Sequence, residues 1–532
     1  MVNARRVATG AAAGLAGGAA LIAVVTVVAR VIGFGRQLVF QTTVGETVVG
    51  TVYQTVNALP NVVFEIVAGG VLAGVVVPLL SAAAVRGDTD HVRRTTSALL
   101  GWTLALLVPV ALLGVLVAGP VAELMLAGTG GSEGVEAGRS MLLLFLPQIP
   151  LYGIAVVTAG VLQAHRRFLA ASLAPVVSSL VVAGAYVAFG AVFTGDLNDL
   201  STLDRRSELV LAGGTTLGVL VLALATLVPM LVKVTGLSLT MRFPDGVARR
   251  VQRLAAAGLA TLIAQQLAYL TSYWTSNRYG PDGAAVTYVN SWMVYLLPYA
   301  VLAVPIATAA FPRLSEHAES DAGAYARTLA GSTRAVLVVC GLGAAVLVAS
   351  AWPVARFFAL LNPGEAAPQR MAWALVAFAP GLFGYGLVAH LGRALFARGR
   401  GHAAAFATVS GWLLVVAVAL VATAAVEPDL VTAALGAAHT AGMTLAGVLL
   451  LRAVVRDSGR AAVGGLGRLL AGVLPGAAAG SAAGWWVASW WPTDGVPVVL
   501  AAGATAALVA AVVMLAVLAV VDRRDLAAVL RR

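Results

Sequence analysis

The sequence predicts an all-α polytopic membrane protein: about 14 transmembrane helices, read as two six-helix repeats plus two extra C-terminal helices. Three observations predict it. The 532 residues are 60% hydrophobic and only 11% charged, more apolar side chain than a soluble core of this size can hide. The apolar stretches run on without period-2 alternation, which favours helices over the strands of a barrel. Basic residues gather in alternate connections, as they do when one side of a membrane is cytoplasmic.

The expected spans lie at 12–40, 47–81, 96–118, 139–161, 169–193, 209–232, 254–277, 284–312, 329–355, 371–397, 403–425, 430–451, 465–491 and 496–521. Short polar connections rich in Gly, Asp and Arg join them. With Arg5 and Arg6 placing the N-terminus inside, 25 of the 34 Lys and Arg residues fall on inside segments or the inner ends of spans, six in outside loops or at an outer span end, and three (Arg30, Arg36 and Arg334) are left for the spans. An even number of spans with both termini cytoplasmic satisfies this bias. The net charge of +11 is then topological and needs no nucleic acid to explain it.

An internal repeat divides the chain. Pro147, Tyr152, Gly153 and Ala164 recur as Pro380, Tyr385, Gly386 and Ala397, each 233 positions later. LPNVVFEIVAGGVLAGVVVPLLS (59–81) parallels LPYAVLAVPIATAAFPRLS (297–315). Residues 1–236 are therefore expected to form an N-terminal lobe and 237–455 a C-terminal one. Residues 456–532 add the last two spans and a cytoplasmic tail. Parallel repeats of this kind are a transporter architecture with the substrate path between the halves.

Several chemistries are not encoded. Lys233, the only lysine, is followed by valine, so no Walker A loop exists. Cys340 is the only cysteine, which excludes an internal disulfide and a cysteine metal cluster. The six histidines are scattered and make no HExxH motif. No catalytic constellation, cofactor or metal is expected.

The first span carries the chemistry. VVARVIGFGRQLVF (27–40) places Arg30 and Arg36 in an apolar run, where an arginine costs at least ~2.5–3.5 kcal/mol at the helix centre. Snorkelling to headgroups suits Arg36 better than Arg30. The functional reading is an anion site. Six residues turn an ideal helix by ~240°, leaving the guanidinium groups ~120° apart, and Gly33 and Gly35 let the helix bend between them. Arginine suits phosphate because its planar fork donates paired hydrogen bonds. Glu65, in NALPNVVFEIVAGG, is either a structural ion-pair partner for Arg30 or Arg36 or an alternating partner released by substrate. Asn57 and Asn61 flank Pro60, and Asn61 shares a helix face with Glu65. Gly69, Gly70 and Gly74 suit close helix packing. Pro298, Pro305 and Pro312 suggest a broken or flexing eighth span, and Arg334 an inside anchor.

ARVIGFGRQ, the LPNVVFEIVAGG stretch and YLLPYAVLAVPIATAAFPRLSEH together resemble the MurJ/MviN family, proposed lipid II flippases of peptidoglycan synthesis in the MOP transporter superfamily. The likeness covers the first twelve spans in order. It implies two six-helix lobes and a cationic cavity. A lipid-linked disaccharide-pentapeptide would be carried outward across the bacterial cytoplasmic membrane by alternating access, and spans 13 and 14 would form a groove for its isoprenoid tail. The family's functional arginines fall on Arg30 and Arg36. It also implies lipid II and the bilayer as partners, with cell-wall synthesis proteins as candidates. The chain departs from the pattern at Phe64 and Glu65, where many members carry two arginines, at Gly69 and Thr51, where many carry acids, and in 290–293, where an arginine is usual. An exporter of another polyprenyl-linked oligosaccharide, a drug exporter and a non-transporting cell-wall scaffold are the rival readings.

Overall fold

A computed structural model describes residues 25, 28–67, 76–238, 240–244, 247–364, 366–492 and 494–521, without the side chains of 78 and 248–257. Every regular element among them is helical. Helix α1 covers residues 28–43. It is followed by α2 (Val48–Glu65), α3 (Val76–Arg86), α4 (Thr89–Met125), α5 (Gly131–Phe145), α6 (Gln148–Ala164) and α7 (Phe168–Val192). A short α8 (Arg205–Glu208) leads through a π-helical turn into α9 (Gly214–Leu231). Next come α10 (Val247–Tyr279), α11 (Ala284–Pro298), α12 (Val304–Ser320), α13 (Ala322–Ala349) and α14 (Ala351–Leu361). The remainder are α15 (Pro368–Phe378), α16 (Gly381–Ala397), α17 (Gly401–Ala425), α18 (Val431–Ser458), α19 (Leu466–Ala488) and α20 (Val496–Val521).

Ten helices among the described residues are long and apolar enough to cross a membrane, or eleven if the bent pair α15–α16 is one span. The expected count was fourteen. About half of the first expected span, 12–24 with 26 and 27, lies outside the described residues, as does all of 68–75 in the second, including Gly69, Gly70 and Gly74. The outward faces are strongly apolar: Leu116 is 77% exposed and Val520 81%. Faces of this composition suit hydrocarbon rather than water.

The chain forms two compact units, Met1–Leu126 with Gly130–Leu262, and Ala127–Thr129 with Ile263–Arg532. In the first, α6 packs against α2, α3, α4 and α9, and α7 lies along α9. Its core holds Phe40, Tyr53, Phe145 and Tyr186. The buried Tyr53 hydroxyl is matched by Tyr186 (2.9 Å) and Thr215 (2.8 Å), which offsets the penalty of placing three hydroxyls in an apolar interior. In the second unit α13 packs against α12, α16, α19 and α20, while α18 packs against α15, α16 and α17. The last two helices are thus built onto the second unit through α13. Gly384 allows α16 to approach the Met443 backbone of α18, where a Cβ would collide.

The repeat recurs in the local structure. Asp88 caps α4 by accepting from His91 N (3.0 Å), and Asp321 caps α13 by accepting from Ala324 N (2.8 Å). Pro147 and Pro380 precede helices of 17 residues, α6 and α16. Helices α7 and α17 each run 25 residues. The proline-rich eighth span stays helical from Ala284 to Ser320 but widens to a π-helix at Tyr299–Ala303. A proline has no N–H to donate, and wider i→i+5 bonding absorbs such a break without ending the helix. The ninth expected span ends at Ala349, and α14 continues separately.

Candidate functional site

The first unit encloses a cavity of about 400 Å³. Helices α1, α2, α3, α6, α7 and α9 line it, with Arg36, Asn57, Asn61, Phe64 and Tyr152 at one side and Ser178, Ser179 and Thr226 among the remaining walls. Each polar group is placed by a local sequence feature. Thr47 starts α2 by accepting from Gly50 N at 3.1 Å, which fixes the helix that carries both asparagines. Pro60 leaves that helix one backbone donor short, and Asn61 Nδ2 donates to the Asn57 carbonyl at 2.7 Å beside it. Tyr152, from α6, donates its hydroxyl proton to Asn61 Oδ1 at 2.9 Å. The asparagine head is thereby held from two sides.

Arg36 carries the charge of this cavity. Its guanidinium lies within electrostatic reach of the hydroxyls of Tyr53, Tyr152 and Tyr186. Its Nε is buried and has no hydrogen-bond partner among the described residues, and the same holds for Asn57 Oδ1. Two residues of one cavity lining thus each carry a buried polar atom without a partner, which is costly unless something fills its valence. One face of the cavity is aromatic: Phe64 and Tyr152 lie with ring centroids 4.5 Å apart.

Of the five residues singled out from sequence, Arg36, Asn57 and Asn61 come together on this lining. Arg30 is exposed on α1, and Glu65 is exposed at the last residue of α2. Among the described residues Glu65 makes no ion pair with Arg30 or Arg36; the recorded ion pairs join other residues. Arg334, read as an anchor, packs against Gly465 at the start of α19. Phe64 stood out in the sequence only as a departure from the family pattern, and Ser178, Ser179 and Thr226 were not foreseen, because nothing in their local sequence separates them from ordinary span residues. Tyr152 did carry a signal, its recurrence as Tyr385, but that signal marks the repeat rather than the cavity.

The second unit is packed differently. Tyr288, Trp292, Phe378 and Trp412 surround His439, whose Nε2 meets the Tyr288 hydroxyl at 3.2 Å, and Tyr295 packs on Trp292 and Phe378. Tyr385 joins the same cluster through Trp292, Tyr295 and Trp412. A second cavity, of about 410 Å³, lies between α11, α13, α14 and α20 and is walled by aliphatic residues such as Leu297, Val301, Leu342 and Val346. Among the described residues no group of three or more His, Cys, Asp or Glu side chains is arranged to hold a metal ion.

These features can be set beside known proteins. The family model described as "Lipid II flippase MurJ" matches residues 40–505. A relative from Vibrio cholerae serotype O1, named "Probable lipid II flippase MurJ", is 23% identical over 394 residues, covering 71% of this chain and 72% of its own length. A solved structure of a lipid II flippase MurJ in an inward closed conformation superposes with a TM-score of 0.69 at 17% identity, covering 94% of this chain and 99% of that one. An inward-facing multidrug resistance MATE family transporter of the MOP superfamily gives 0.65 at 15% identity, over 81% and 94%. The two structures establish the fold alone, and the second shows how widely that fold is shared. The family match runs from the end of α1 into α20 and spans most of the chain, with Arg36 lying just before it: this chain belongs to the lipid II flippase MurJ family.

Proposed function

We propose that this protein moves lipid II, the lipid-linked peptidoglycan precursor, from the inner to the outer leaflet of the bacterial cytoplasmic membrane, as a transporter rather than an enzyme. The carrying observation is the Arg36 cavity, whose lining includes Arg36 and Asn57, each with a buried polar atom, Nε and Oδ1, that has no partner among the described residues. A pyrophosphate oxygen supplies the acceptor that Arg36 lacks, and a sugar or peptide N–H or hydroxyl supplies the donor for Asn57. About 400 Å³ holds the pyrophosphate or one ring-sized group, so the rest of the large head lies beyond this lining. Arg30 and Glu65, both exposed, contact the head outside the cavity. Asn61, oriented by Tyr152, selects among groups that reach it.

The aliphatic cavity walled by Leu297, Val301 and Val346 supports a place for part of the isoprenoid tail, with Ala511 of α20 at its edge. Residues 1–236 and 237–455 act as the two lobes of an alternating-access cycle, 456–532 adds the last two spans, and both termini are cytoplasmic, as the charge bias requires. Cell-wall synthesis proteins are the natural protein partners of such a step.

One observation favours a second reading. Phe64 lines the cavity where many family members carry an arginine, so the site holds fewer cations and an aromatic face. An exporter of another polyprenyl-linked oligosaccharide would use the same Arg36 with a different sugar contact. Complementation separates the readings. A host depleted of its own lipid II flippase is supplied with the wild type, Arg36→Ala or Arg30→Ala at equal membrane levels. Rescue by wild type and failure of Arg36→Ala supports lipid II transport through this cavity. Rescue by all forms removes the role given to the arginines. Failure of well-expressed wild type, where a chimera with the host's own termini also fails, favours the second reading.

A further inference from the structure

The end of α18 carries a second basic site, remote in sequence from Arg36. A cleft of about 350 Å³ lies between the last turns of α18 and the start of α19. Val448, Leu451 and Val455 form one wall, Val463 and Leu466 the other, and Arg452 and Arg456 stand with them. The two arginines are four residues apart, so they lie one above the other on one helix face. Both are exposed. Among the described residues neither has a hydrogen-bond or ion-pair partner. The adjacent carboxylate, Asp457, is already engaged by Arg398 (3.1 Å) and Arg400 (2.7 Å), so it is not available to Arg456.

The backbone makes the cleft. Gly459 (φ +76°) and Gly465 (φ +79°) both hold the left-handed conformation that L side chains rarely adopt. Between them Arg460–Val463 forms a 3₁₀ turn. This turn packs against α18, and its Val463 and the first residue of α19, Leu466, face the gap. An arginine near a helix C-terminus is favoured by the helix dipole alone. That does not explain an apolar cleft held open beneath two such residues.

We propose that this cleft binds one anionic phospholipid: its phosphodiester on Arg452 and Arg456, and the first carbons of its acyl chains between Val455, Val463 and Leu466. The charge and the apolar walls meet in the order in which such a lipid presents its own parts. The site does not depend on the identity of the transported substrate.

The test uses the full-length protein in nanodiscs of phosphatidylcholine with a fixed minor fraction of phosphatidylglycerol. Native mass spectrometry reads the phosphatidylglycerol retained per protein. Wild type is expected to retain it preferentially, and R452Q/R456Q to lose roughly fivefold per arginine, on the order of 25-fold for both. R166Q/R167Q removes the same charge from another connection and is expected to change retention little. Val455→Trp fills the cleft with both charges intact and is expected to lose retention, its melting curve in neutral detergent confirming the fold. Three results overturn the proposal: no preference in wild type, equal losses in R452Q/R456Q and R166Q/R167Q, or full retention by a folded Val455→Trp. Abolition of retention by inorganic phosphate at equimolar concentration also overturns it, since the cleft would then be a phosphate site without a lipid.

Discussion

The two halves of this molecule share a plan and fill it in opposite ways. Helices α6 and α16 start after equivalent prolines, have equal length and carry equivalent tyrosines, Tyr152 and Tyr385. In the first unit Tyr152 holds Asn61 at the edge of a cavity that contains an arginine. In the second, Tyr385 is one ring of a closed aromatic cluster around His439. A common scaffold thus carries one half specialised for polar contact and one for packing. Helix ends and lengths follow from prolines and caps that repeat, while the occupancy of the interior depends on individual side chains that have diverged.

Breaking the polar half gives the largest expected effect. Arg36→Ala should lower lipid II flipping by at least about tenfold, from the ~1.5–3 kcal/mol of a hydrogen bond to a charged group, measured in reconstituted vesicles. Arg36→Lys keeps the charge without the planar fork and should recover only part of it. In the packed half, Trp412→Ala should act on stability instead, costing about 3–5 kcal/mol because Trp412 is only 3% exposed. Its signature is a lower melting temperature with unchanged specificity. If Trp412→Ala altered substrate choice and Arg36→Ala did not, the division between the halves would be wrong.

Collapsing the membrane potential tests the sign of the transported charge. An inside-negative potential favours outward anion movement by ~2.3 kcal/mol per charge per 100 mV, so flipping should slow when valinomycin and potassium remove it. Equal rates would rule out an electrogenic step. A smaller effect is expected from Tyr152→Phe, which removes one hydrogen bond to Asn61, worth about 0.5–1.5 kcal/mol, and should raise the apparent KM more than it lowers the maximal rate. The smallest concerns the matched caps. The Ala324 backbone N–H holds the Asp321 carboxyl below the usual carboxylate range. A depressed folded-state value gives stability above the unfolded value that is lost as pH falls through the folded one. Wild type should therefore lose a little thermal stability in acid, and Asp321→Asn, which keeps the cap but not the charge, should lose that pH dependence.

Much of this was legible in the residues. Length and continuity of the apolar runs require helices, because lipid offers no partner for a backbone N–H, and the recurrence of Pro147 as Pro380 marks an internal repeat, though not the helix starts at these prolines. Arg36, Asn57 and Asn61 were also singled out, since charge and amide groups in an apolar run need a reason. Arg30 and Glu65 attract notice for the same reason, but their exposure comes from which way each helix face turns, and hydropathy is silent about that. The separate α14 and the π-helical turn after Pro298 were not readable as such, because several backbone paths satisfy the same composition.

By itself the sequence determined that this chain spans a membrane, that prolines and tyrosines recur 233 positions apart and that arginines stand at the first apolar run. Only the tertiary structure decided which residues share a cavity, because Phe64 of α2, Tyr152 of α6, Ser178 of α7 and Thr226 of α9 meet only after four separate helices pack. Periodicity fixes a helix and its apolar face; the mutual rotation of helices is set by side-chain packing across many contacts, and that information is not local to any stretch of the chain.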